Sequence, residues 1–169
     1  MRKFLQFLPV LAVLFFFSAC SDDDGINADN GFTYGSIFVS TPTSALIVHD
    51  VGSMSVLFLN GAEFNEDTEQ FEGDLVNVIN LDFESMDAND VATGVYTLDP
   101  TQSQDNSFFG QVFLTFNLET GEGFQFEIVE GQVEVQNNGA TYEFSYSLTL
   151  DDNSRISGSF FGLIDHVVD

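Results

Sequence analysis

From Phe32 onward apolar and polar positions alternate, and no long stretch holds a helical period, so the chain reads as strands throughout. The clearest is 141–150. Tyr142, Phe144, Tyr146, Leu148 and Leu150 face one way and Thr141, Glu143, Ser145, Ser147 and Thr149 the other, the pattern of a half-buried antiparallel strand. Short loops then set registers. A two-residue turn at Asn138-Gly139 puts Val135 opposite Tyr142 and Val133 opposite Phe144. A three-residue loop Asp151-Asp152-Asn153 puts Leu148 opposite Ile156, Tyr146 opposite Gly158 and Phe144 opposite Phe160, so that aromatic rings cover strand glycines. A loop at Glu119-Thr120-Gly121 sets Phe116 against Phe124, Leu114 against Phe126 and Val112 against Ile128.

Further strands are predicted at 32–39, 45–49, 54–59, 75–83 and 94–98, and 123–129 and 131–136 read as separate strands. Roughly ten strands joined by turns predict an all-β domain over residues 32–169, an antiparallel β-sandwich, with an up-and-down lipocalin-like β-barrel as the alternative. The barrel would carry a small apolar ligand. Fifteen of the 20 Phe residues lie beyond residue 19, and Phe113, Phe161 and Leu163 make their strands apolar on both faces, as a cavity, a second sheet or a partner surface would require.

The first residues break this pattern. Arg2 and Lys3, the apolar run 4–17 and Ser18-Ala19 before Cys20 form a tripartite export signal, too short to span a bilayer comfortably. Cys20 is the single cysteine, so no internal disulfide can form. The segment resembles a bacterial lipoprotein signal, which implies cleavage of residues 1–19 and acylation of Cys20, with more than one chain giving a stable anchor in outer-membrane lipid. Ser21, Asp22, Asp23 and Asp24 follow, and with Gly25 resemble the acidic export tag of surface-exposed Bacteroidota lipoproteins. Residues 20–31 thus read as lipidated cysteine and tether. The motifs 131–135, 138–144, 148–152 and 156–162, with 81–83 and 94–98 upstream, resemble the all-β C-terminal meander of the small members of that group. The resemblance implies a location at the cell exterior and a β fold, and it brings no catalytic residue.

Charge narrows the partners. The formal charge of −24 becomes −26 when Arg2 and Lys3 leave with the leader, and Arg155 is then the single Lys or Arg. Clustered cations that would bind a phosphate backbone are lacking, so nucleic acid is excluded as a partner. An unknown extracellular protein or glycan remains.

Chemistry is sparse. His49, next to Asp50, reads as a strand-end rim residue, and His166 as a terminal one; no nucleophile motif accompanies either, so the chain is expected to be non-enzymatic. Abundant carboxylates alone do not specify a glycosidase. No cofactor is expected apart from calcium, for which Glu63, Glu66, Asp67 and Glu69 are the candidate cluster, extended by Glu72 and Asp74, with Asp87 and Asp90 a second; neither has a fixed ligand spacing. Tyr142 and Tyr146 are expected in the core with their hydroxyls at the rim.

Overall fold

The structure is a computed structural model and describes residues 30–65 and 70–167. The strands are β1 (Gly31–Tyr34), β2 (Ile37–Ser40), β3 (Thr43–Asp50), β4 (Ser53–Asn60), β5 (Glu63–Asn65), β6 (Gln70–Glu72), β7 (Val76–Glu84), β8 (Gly94–Leu98), β9 (Ser107–Phe116), β10 (Phe124–Asn137), β11 (Tyr142–Leu150), β12 (Arg155–Gly162) and β13 (Asp165–Val167). The all-β expectation is met, but the strands do not divide into the two sheets of a sandwich. One 11-stranded ladder runs β13-β3-β4-β7-β9-β8-β10-β11-β12-β1-β2, and β5 pairs with β6 apart from it. Nor is it purely antiparallel, because β13 pairs with β3 and β8 with β9 in parallel.

The ladder curls into a half-barrel because its two margins are tied together. Thr41-Pro42 links edge strand β2 to β3, and Leu163-Ile164 links β12 to edge strand β13. Two intervening residues reach about 11 Å at most, so strands distant in the ladder must lie close in space. Asn60 Nδ2 on β4 donates to the Ser40 carbonyl on β2 at 2.8 Å, and Ser44 Oγ donates to the Leu163 carbonyl at 3.2 Å.

Inward side chains fill the curl. Phe58 of β4 lies 5.2 Å from Phe144, 6.0 Å from Tyr146 and 5.0 Å from Phe160, ring centre to ring centre. Phe83 lies 4.9 Å from Tyr96 and 6.1 Å from Phe144. These rings are buried together with Leu46, Leu81, Val112 and Ile156, so the inside of the half-barrel is a packed aromatic core.

The registers show what short loops determine. β11 against β12 is as expected, with Leu148 opposite Ile156, Tyr146 opposite Gly158 and Phe144 opposite Phe160. The other two hairpins are displaced by two residues. Val135 faces Phe144 because the turn at 138–141 is wider, closed by Asn138 N–H to the Thr141 carbonyl at 3.0 Å. Phe124 faces Leu114, because the loop closes through Asn117 N–H to the Glu122 carbonyl at 2.7 Å. A shift of two keeps every side chain on its own face, so the buried pattern survives.

Three segments depart from expectation. The region 32–39 splits at Gly35 (φ 62°) into hairpin β1–β2. The two strands expected at 123–129 and 131–136 are one, β10, with an irregularity between Ile128 and Glu130; before it β10 pairs with β9, after it with β8. The strand expected from Val112 starts five residues earlier, at Ser107.

Candidate functional site

Outside the half-barrel, β3, β4, β7 and β9 align their outward residues in rows. One row is Thr43, Leu59, Val78, Phe113; the next is Ala45, Leu57, Asn80, Gln111; the third is Ile47, Ser55, Asp82, Phe109. The surface therefore grades from apolar to polar along the strands. Over the apolar end Phe71 of β6 packs against a cluster containing Leu59, Ala62, Val76 and Val78, with Leu57, Phe113 and Phe116 beside it. Between this cover and the sheet lies a groove of about 370 Å³. Its walls are aliphatic and aromatic, and Ser55, Asn80 and Gln111 are its polar lining. A volume of this size is within the range of small-molecule sites.

The polar end has a defined hydrogen-bond order. Ser55 Oγ donates to Asp82 Oδ1, and Asn80 Nδ2 donates to Asp82 Oδ2 at 3.1 Å. His49 Nε2 lies 2.7 Å from Ser55 Oγ. A carboxylate offers acceptors only, so the serine proton goes to Asp82 and His49 Nε2 must be the donor to Ser55. A nucleophilic serine needs the opposite arrangement, with its proton directed to the imidazole. Among the described residues Asn80 Oδ1 is buried and has no hydrogen-bond partner. Leaving such an acceptor unmet costs about 1–3 kcal/mol.

A second polar cluster pins the loop 85–93. Tyr142 OH donates to Asp90 Oδ1 at 2.7 Å, Val91 N–H to the same oxygen at 2.7 Å, and Asn137 Nδ2 to Asp90 Oδ2 at 2.9 Å. Burial, and then the Asp90 carboxylate, push the Tyr142 hydroxyl's pKa well up. His166 Nε2 approaches the same hydroxyl at 3.4 Å, which ties β13 to β11 across the curl. Asp90 is thus engaged as a loop anchor, while Asp87 accepts the Asn89 N–H at 3.0 Å.

The chain matches no family model, no curated protein and no solved structure. The residues singled out from sequence fall as follows. Cys20, Ser21, Asp22, Asp23, Asp24, Glu66, Asp67 and Glu69 lie outside the described residues. Glu63 is exposed on β5, opposite Glu72 of β6. Among the described residues no group of three or more His, Cys, Asp or Glu side chains converges on a metal position. Tyr142 and Tyr146 are buried as expected, but the Tyr146 hydroxyl lies inside and not at the rim, where it donates to the Gly31 carbonyl at 3.2 Å. His49 sits exposed at the end of β3.

Sequence reasoning missed Ser55, Asp82 and Asn80. They meet only through the pairing of β4 with β7, strands separated by the β5–β6 insertion, so no short loop revealed their register. The groove did leave a trace, in the apolar Phe113 on the outward face of β9.

Proposed function

We propose that this chain is a non-enzymatic lipoprotein of the outer membrane, held through acylated Cys20 and facing the cell exterior. Its half-barrel would be presented on the acidic tether 20–31 for binding an extracellular protein or glycan. The observation that supports the anchor is the single cysteine placed directly after the apolar leader and directly before Ser21-Asp22-Asp23-Asp24. Binding is favoured over catalysis by the direction of the Ser55 proton, which goes to Asp82 and not to the His49 imidazole, so the three groups lack the serine–histidine–carboxylate order of a hydrolase.

Mass spectrometry of the N-terminal peptide of the mature protein tests the anchor. The expected peptide starts at Cys20 and carries acyl mass, and Cys20→Ser blocks processing or releases the protein. An unacylated mature N-terminus at any other residue contradicts the proposal.

A second reading, a carrier of a small apolar ligand, is favoured by the outer groove. The ligand would sit outside the sheet, under the β5–β6 hairpin, since the inside is occupied by Phe58, Phe83 and Phe144.

A further inference from the structure

We infer that the groove on the outer face of β3, β4, β7 and β9 is a site for an uncharged apolar compound whose one polar group is a carbonyl, accepting a hydrogen bond from the Gln111 amide. This deepens the carrier reading and rests on it. The body is specified by the walls, where Leu57, Leu59, Phe113 and Phe116 offer hydrocarbon and ring faces without a polar atom. The carbonyl is specified by what the polar lining still has to give. Ser55 donates its proton to Asp82 and accepts from His49, so it has no donor for an occupant. Asn80 is held to Asp82 through Nδ2, and its Oδ1 is buried away from the groove. Gln111 is the third polar group. Its Oε1 accepts from Gln125 Nε2 at 3.1 Å, and Gln125 stands on β10, on the opposite side of β9 from β7. Oxygen and nitrogen diverge from one amide carbon, so Nε2 is turned away from β10, toward the groove. Among the described residues no hydrogen bond uses its N–H groups. Gln111 is half-exposed, so water can meet those N–H groups, and an occupant that displaces the water must bring an acceptor.

Charge and hydrogen-bond supply exclude other heads. Asp82 stands behind Ser55 and Asn80, Glu127 is the register partner of Gln111, and the covering hairpin carries Glu63 and Glu72. Beyond Lys3 the sole Lys or Arg is Arg155, which does not line the groove, and neither does His49. A carboxylate or phosphate head would therefore enter a negative field with no counter-ion. An ammonium brings only donors, yet the Ser55 and Gln111 oxygens each hold a donor already and the carboxylates lie outside the lining. A carbonyl brings no charge and only an acceptor, which is what the Gln111 amide lacks.

The test uses the mature, anchored protein in lipid nanodiscs with four diazirine photoprobes of one chain length: a methyl ketone, a primary amine, a carboxylate and a plain hydrocarbon. Cross-linked residues are mapped by peptide mass spectrometry. The ketone should label β4, β7 and β9 saturably, with amine and carboxylate at least about ten-fold weaker. Gln111→Glu keeps an acceptor for Gln125 and replaces only the amide nitrogen, so ketone labelling should fall about ten-fold while that of the amine rises. Gln111→Leu adds no charge beside Glu127 and should reduce the ketone to the level of the hydrocarbon. Partition of each probe into the lipid is common to wild type and variants and cancels in these comparisons. Groove labelling by amine or carboxylate as strong as by the ketone, or ketone labelling unchanged in both variants, overturns the inference but leaves the carrier reading standing. No saturable labelling of the groove by any probe defeats both.

Discussion

Gly158 shows how one residue can be fixed by its neighbours. A Cβ there would meet the Gly31 carbonyl and lie 2.7 Å from the Tyr146 hydroxyl oxygen, so the aromatic ring occupies the space a side chain would need. Gly158→Ala should cost about 1–3 kcal/mol in urea unfolding, and a neutral result would contradict the close packing of Tyr146 on β12. At the surface, Asp99 illustrates a different control. The Thr101 hydroxyl, then the Thr101 N–H and Ser103, hold its carboxyl down from 3.8 to about 2. A depressed folded-state pKa contributes stability that is full above the ordinary carboxylate range and is lost as pH falls toward about 2. Because the Thr101 hydroxyl is the largest cause, Thr101→Val should return the Asp99 titration, followed by carboxyl carbon NMR, toward 3.8. An unmoved titration would assign the effect to something else.

At the scale of elements, what was legible depended on loop length. The β11–β12 register could be counted across three residues because only one choice set apolar residues and glycines beneath aromatic rings. The turn at 138–141 and the loop at 117–123 each admitted alternatives two residues apart, which the alternation of faces cannot distinguish. The irregularity in β10 looked like a turn because the period breaks there, yet the strand continues and changes partners. The outer groove was hidden for a related reason: its rows require β4 against β7, a pairing across an insertion. The sheet thus has two buried faces of unequal extent, and substitutions should reveal both. Phe58→Ala, in the inner core, should cost about 3–5 kcal/mol and Leu59→Ala, in the outer cluster, about 2–5 kcal/mol. Phe124 is 63% exposed, so Phe124→Ala should stay within about 0.5 kcal/mol. A Leu59→Ala cost as small as that of Phe124→Ala would mean that the β5–β6 cover does not close in solution.

For the whole molecule, the edge-to-edge links convert a long ladder into a half-barrel, and the formal charge of −24 opposes that compaction. Self-repulsion is screened by salt, so the melting temperature should rise with sodium chloride from low ionic strength up to physiological values. A melting temperature flat in salt would show that the charges are neutralised locally. The proposed anchor and tether rest on residues 1–25 alone, since a leader is specified by composition and order rather than by packing. The identity of a partner was not, because no motif in the chain specifies one. The central claim is that Cys20 holds the domain on the outside of the cell, and external protease on intact cells tests it most directly. The account predicts that the domain is shaved off while a periplasmic marker remains intact; full protection of the domain until the outer membrane is breached would contradict it.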